Sequence, residues 1–304
     1  MLNQENANNL LASIISNING INKEILIRHP LKLYIDEIEK DKNYHGYVIK
    51  SKKISNICEK IVERHGVDTL KLYHKAILLS LLLNNIDKIK DNCIIDDIMS
   101  IAHNNFANVF NTIIENKGNF LHADDNFRKN LAISSLRLIP LGAQKINISR
   151  IPYRMIYKGG IRQCLKLLYT ILFTLKGLKP IYEIHTDSID AGLLQEFNLE
   201  GWTRMYERAA VLLEKHKDVK GIIGTSWFFD PVLSSVSPHL KYLREIVTRN
   251  GGFLFYMGID KGNDAILKSK SRKKLYDEGK YVPKKYAILW PRNRIIEWKI
   301  NKHE

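Results

Sequence analysis

Cysteine is nearly missing from this chain: there are three in 304 residues, Cys58, Cys93 and Cys164. They are odd in number, far apart and in no CxxC pair, so neither a disulfide scaffold nor a cysteine-built zinc site is expected. A reducing compartment is the matching expectation. Long apolar runs are missing too. The longest, Cys164–Leu175, is interrupted by Lys166 and falls well short of the roughly 20 residues that span a bilayer. The opening stretch, MLNQENANNLLASII, has neither a basic n-region nor a long apolar h-region, so a signal peptide is not indicated. There is no helix-turn-helix, zinc-finger or RNP signature either. These absences predict a soluble, cytoplasmic protein.

What the chain does have is an ordinary globular composition, 45% hydrophobic and 26% charged, which excludes wholesale disorder. Its net charge is +15, unevenly placed. Residues 1–150 carry 20 Lys+Arg against 16 Asp+Glu, and the rest carry 27 against 16. An excess of +11 in the second half points to an anionic partner: nucleic acid, a phosphorylated small molecule or an acidic membrane surface. The competing reading is compositional, since the chain is rich in Asn, Ile and Lys and many lysines can simply solvate helix faces.

Periodicity divides the chain. In the first part Ile54, Ile57, Cys58, Ile61 and Val62 form the i, i+3, i+4 stripe of an amphipathic helix. Gly66 ends it, and Asp68 is placed to cap the next, which runs to about Asn84 and is apolar on most sides. Another helix is expected from Ile94 to near Gly118, and a further one after Asp124–Asp125. The expected helical region is 1–138. Pro140, Gly142, Pro152 and Gly159–Gly160 then break the pattern, and 139–304 reads as a second, mixed domain. A helix over 161–176 precedes a strand at 181–185 and a long helix at 192–216. A strand at 221–229, a helix at 237–250 with Ser237 as its cap, a strand at 251–259 and a helix at 264–279 follow. Two strands, 284–290 and 294–300, are expected to close the chain as a hairpin. The fold class this predicts is α+β: an N-terminal helical region followed by a C-terminal α/β domain with a mixed sheet.

Three segments hold more polar and aromatic side chains than packing needs. In a strand at 181–185, Glu183, His185 and Asp187 point to one face, so a base and its orienting carboxylates can converge. His185-x-Asp187 is also part of a facial-triad metal pattern, for which His239 is the downstream candidate for the second histidine. The plainer alternative is that Asp187 and Ser188 cap the following helix while His185 is a hydrogen-bonded core residue. In the second segment Thr225, Ser226, Trp227 and Asp230 end a strand where α/β sheets present ligand groups. Ser226 lies where a nucleophile stands in GxSxG, but Phe228 replaces the second glycine. The third is a basic end with Lys268, Lys270, Arg272, Lys273, Lys274, Tyr276, Lys280 and Tyr281, in which residues 261–304 carry 13 Lys+Arg against five acids. Lys270, Lys273 and Lys274 share a helix face that can hold phosphates or merely face water.

From Lys220 onward the expected order, strand–helix–strand–helix–strand–strand, resembles the C-terminal half of GNAT-type acyltransferases, over residues 220–300. In that family the penultimate strand pair straddles the acyl-CoA, and the helix after it ends in an aromatic–glycine signature around a tyrosine that acts as general acid. Ala265–Ile266, Leu275–Tyr276, Gly279 and Tyr281 are similar to that pattern. The family's glycine-rich pyrophosphate loop falls on Val232–Ser237, where VLSSVS has no glycine. The resemblance implies an acyl-CoA or other acyl thioester as donor, and Tyr276 as acid. On that reading His185 or Glu183 is the base, Thr225–Trp227 line the thioester, and the basic residues of 268–274 meet the donor's phosphates. No metal is expected. The alternatives are a non-catalytic basic module on nucleic acid or an anionic membrane, with helix 161–176 as a candidate interfacial element, and a hydrolase centred on His185.

Overall fold

The computed structural model describes residues 3–41, 46–92, 96–142, 144–185, 195–262, 264–267 and 269–303. Asp187, Ser188, Cys93 and Lys268, singled out above, lie outside them. The chain divides into two compact units, Met1–Pro140 and Leu141–Glu304.

The first unit is helical: α1 (Gln4–Ile21), α2 (Glu24–Arg28), α3 (Leu31–Lys40), α4 (Lys52–His65), α5 (Val67–Asn85), α6 (Ile89–Asn92), α7 (Asp96–Ile114) and α8 (Asp125–Ser134), with the short strand β1 (Ile139–Pro140) at its end. Ser51 caps α4 by accepting from the Ile54 amide at 3.4 Å, and the expected stripe buries Ile54, Ile57 and Ile61. Gly66, at φ +84°, ends α4 and starts α5, a conformation glycine adopts without strain. Asp68 therefore lies inside the first turn of α5 instead of capping it. Helix α5 buries Leu70, Tyr73, Ile77, Leu78, Leu81 and Leu82 and packs against α1, α3, α4, α7 and α8. It is the central helix of this unit.

The second unit is α+β. Its strands are β2 (Lys145–Ser149), β3 (Ile181–His185), β4 (Gly221–Ser226), β5 (Phe253–Ile259) and β6 (Lys284–Pro291), in the spatial order β2-β3-β4-β6-β5. The sheet is mixed: β3 and β4 are parallel and the other pairs antiparallel. One face is covered by α9 (Arg154–Lys158) and α10 (Gly160–Tyr169), which continues as a π-helical turn over Thr170–Leu175. Met155, Leu167, Ile171 and Leu175 pack there on Ile181, Ile223, Phe255, Ala287 and Leu289. On the other side are α11 (Leu199–Lys215), α12 (Leu233–Val236) and α13 (Tyr242–Arg249). After β5 come α14 (Asp264–Leu267) and α15 (Lys270–Asp277), and the chain ends in α16 (Arg292–His303).

Several boundaries differ from the expected ones. Strand 221–229 stops at Ser226, and Trp227–Phe229 forms a 3₁₀ turn. The helix expected at 237–250 is a 3₁₀ turn over Pro238–Leu240 followed by α13, and Ser237 makes no cap bond because its Oγ accepts from Arg272. The helix expected at 264–279 is two short ones. The largest correction is the closing hairpin: 294–300 is helical, within α16. Ile296, Trp298 and Ile300 alternate as in a strand, yet helical spacing brings buried Ile295 and Trp298 to the same side. Trp298 packs on Trp290 of β6, ring centroids 5.1 Å apart, and Trp290 on Tyr206 of α11 at 5.2 Å. Aromatic packing on the sheet overrides the alternation. The β4–β6 contact also explains Gly221, at φ +153°, where a Cβ would meet the Trp290 carbonyl oxygen at 2.3 Å.

Candidate functional site

Strand register decides which predicted residues meet. Glu183 pairs with Asn147 on β2 and with Ile223 on β4, and Thr225 pairs with Ala287 on β6. Since side chains alternate, Asn147, Glu183, His185, Ile223 and Thr225 all point to the face covered by α9 and α10. The parallel ladder between β3 and β4 contains two pairs, Tyr182↔Ile222 and Glu183↔Ile223, and then stops. Ile184 and His185 continue on one strand, and Gly224, Thr225 and Ser226 on the other, with no further pair between them. An apolar floor thus runs toward a half-buried polar rim made of Glu183, His185 and Thr225.

His185 is held from β2. Its Nε2 hydrogen-bonds the side-chain oxygen of Asn147, a residue 2% exposed whose amide nitrogen donates to the Ile148 carbonyl at 2.9 Å. That second bond orients the amide, so Asn147 Oδ1 is the acceptor and His185 Nε2 the donor. Glu183 Oε2 stands 3.9 Å from the same Nε2. Asn147 had no sequence signal: in KINIS it is one polar residue among alternating ones.

The second predicted group gathers beyond β4. Ser226 Oγ accepts from the Phe228 amide at 3.2 Å, which makes it the cap of the 3₁₀ turn. Trp227 is buried, and the Arg272 guanidinium lies 4.8 Å from its ring centroid. Asp230, 1% exposed, accepts from the amides of Val232 and Lys284, both at 3.1 Å. Arg272 is itself buried, at 5% exposure, and donates to the Ala265 carbonyl at 2.5 Å and to Ser237 Oγ at 3.1 Å. Among the described residues it has no carboxylate in ion-pair range, and burial lowers its proton affinity. A buried guanidinium with neutral partners and an aromatic under it is a cation that lacks its anion. Beside it is Tyr281, 2% exposed, whose hydroxyl has no hydrogen-bond partner. Burial, and then the Asp230 carboxylate, push that phenol up to about 12, so it is protonated at neutral pH.

Tyr276, Lys270, Lys273 and Lys274 lie on the exposed side of α15. Tyr276 is 44% exposed, and Lys274 pairs with Glu278 at 3.9 Å. Arg272 points the other way, into the unit. Its signal in the sequence was its type: arginine, among lysines, is the residue suited to burial and stacking. The segment Val232–Ser237 offers no amide cradle, because every backbone N–H in it is bonded within the turn or to Asp230. A surface groove of 460 Å³ lined by Glu214, Arg292, Asn293, Ile296 and Ile300 lies at the opposite end of β4 from these residues.

A metal triad is absent from this end of the sheet among the described residues; the cluster of metal-ligand type that is found lies in the first unit, at Cys58, His74 and His122. No protein-family model matches the chain. No curated protein matches it. Among solved structures, an acyltransferase in complex with decanoyl-CoA is similar, with 12% identity and a TM-score of 0.45 over 90% of this chain and 98% of that one.

Proposed function

We propose that the second unit is an acyltransferase that moves an acyl group from a thioester donor to an amine or similar nucleophile. The observation that carries this reading is the β3–β4 pair. It is the one parallel pair among β2–β6, and its ladder ends after two pairs. The last pair carries the Glu183 carboxylate, and beyond it the oriented His185 imidazole ends one strand and Thr225 and Ser226 end the other. The resemblance to GNAT-type enzymes implies a strand pair that straddles the thioester; it covers β4 and not β3, and on our reading β3 and β4 take that part.

The chemistry asks for a proton to leave the attacking nitrogen and one to reach the leaving sulfur. His185 accepts the first as the carbon–nitrogen bond forms. As the carbon–sulfur bond breaks, a tyrosine hydroxyl protonates the thiolate. Tyr276 is the acid implied by the resemblance. Tyr281 is a second candidate, because its hydroxyl is buried without a hydrogen-bond partner beside Arg272. Arg272, stacked on Trp227, is suited to an anionic group of the donor, with Lys270, Lys273 and Lys274 adding a positive field outside. A thermal-shift titration checks donor binding: octanoyl-CoA raises the melting temperature saturably, and the shift persists in high salt. A shift produced by duplex DNA alone, and abolished by salt, contradicts the reading.

A separate observation favours a second role. Ile161, Leu165, Leu168, Tyr169, Leu172 and Phe173 form one exposed stripe along α10 and its π turn, at 40–73% exposure. Residues 150–180 around it contain seven Lys+Arg and no acid. We infer that this face docks on an anionic lipid surface, the apolar stripe entering the interface and the bases meeting headgroups. Co-sedimentation is expected with phosphatidylglycerol-containing vesicles and not with phosphatidylcholine alone, and Leu165→Glu with Leu172→Glu should abolish it. Unchanged binding by that double variant would remove the stripe from the interaction.

A further inference from the structure

The helical unit holds a cluster to which the chemistry above assigns no part. We propose that Cys58, His74 and His122 form a zinc-type divalent metal site, with the Tyr34 hydroxyl at its fourth corner. The thiol sulfur and one nitrogen from each imidazole all lie within 4.8 Å of one another. Cys58 Sγ is 3.4 Å from His74 Nε2, and Tyr34 Oη is 3.4 Å from the same nitrogen. Tyr34 Oη also contacts His122 Nε2. Tetrahedral zinc, with bonds of about 2.3 Å to sulfur and about 2.0 Å to nitrogen, sets neighbouring ligand atoms about 3.3–3.6 Å apart. The Cys58–His74 and Tyr34–His74 pairs already have that spacing, while Tyr34 and His122 have to move apart and the remaining pairs together, by side-chain shifts on the order of 1 Å.

The surroundings are those of a ligand set. His74 is fully buried, and its Nδ1 meets the Phe120 carbonyl oxygen at 2.6 Å. That bond puts the proton on Nδ1 and turns the Nε2 lone pair toward Cys58 and Tyr34, the outer-shell arrangement that metal-bound histidines use. The Phe127 ring stacks on His74 at 4.6 Å and fixes its plane. Cys58 and His122 are only partly buried, which leaves an ion a way in. As the metal–sulfur bond forms, the thiol proton passes to solvent. One thiolate and two imidazoles favour zinc or cobalt over magnesium or calcium. Tyr34, Cys58 and His74 come from α3, α4 and α5, and His122 from the segment before α8, so the ion would tie together four parts of the helical unit.

The test uses the full chain, stripped with a chelator and titrated with Co²⁺. One equivalent binds with a sulfur-to-cobalt charge-transfer band and the visible bands of tetrahedral cobalt, and Zn²⁺ displaces it and raises the melting temperature. Cys58→Ser loses the charge-transfer band. His122→Gln weakens Co²⁺ affinity by about tenfold or more. Cys164→Ser, in the second unit, binds as the parent does. Circular dichroism checks that each variant is folded, and if Cys58→Ser does not fold, His122→Gln makes the same comparison. Absence of tetrahedral Co²⁺ bands in the parent, or parental affinity and spectrum in the folded variants, overturns the proposal.

Discussion

Replacing His185 with glutamine lowers acyl-transfer turnover by about 10²–10⁴-fold, the span that a positioned general base contributes, and changes the donor's KM little. Glutamine keeps a hydrogen bond to Asn147 Oδ1 available and removes the basic nitrogen, so the strand end keeps its shape while the proton acceptor is lost. Asn147→Leu is expected to act through the same imidazole. It removes the Asn147 Oδ1 contact to Nε2, and it lowers kcat less, while shifting the acidic limb of the pH–rate profile. Tyr281→Phe lowers kcat as well, whereas Tyr276→Phe, at an exposed position, keeps turnover within about twofold. Steady-state kinetics on these four variants separates the roles. Parental turnover in His185→Gln would remove the base from the mechanism.

The second large effect is expected at Arg272. Arg272→Lys keeps the charge and loses the planar fork and its stacking on Trp227, so the donor's KM rises by about tenfold or more. Arg272→Met removes the charge too and leaves the Ala265 carbonyl and Ser237 Oγ without their donor, costing about 1–3 kcal/mol of stability. Lys273→Ala and Lys274→Ala are on the solvent side, where screening reduces each charge to a minor contributor. Kinetics of the two lysine-face and two Arg272 variants, with urea unfolding of each, distinguishes a donor site from a structural joint. If Arg272→Lys loses stability and leaves the donor's KM unchanged, the guanidinium only holds the turn.

Local patterns made much of the fold legible in advance. The α4 stripe, Gly66 as a helix end, a helix starting at Asp124–Asp125 and strands expected at 181–185 and 251–259 follow from periodicity and capping chemistry that act within a few residues. The last helix was not legible, because its hydrophobic residues fit period two as well as period 3.6, and only the contact with Trp290 decides between them. The same limit applied to the site. Glu183 and His185 could be placed on one strand face from alternation, but the β2 partner that orients His185 is 38 residues away and set by register. The basic end read as one surface, whereas packing divides it: Arg272 goes inside and Lys270, Lys273 and Lys274 remain in water. The metal-type cluster was invisible because its members are spread from residue 34 to residue 122 and converge only through the packing of α3, α4 and α5.

The most direct test of the central claim is the release of free thiol from octanoyl-CoA in the presence of a panel of primary amines, measured for the parent protein and His185→Gln. The account predicts thiol release that depends on both protein and amine, with the N-acyl amine as product, and its loss in the variant. Thiol release at the uncatalysed rate with every amine, or an equal rate from the variant, would contradict it.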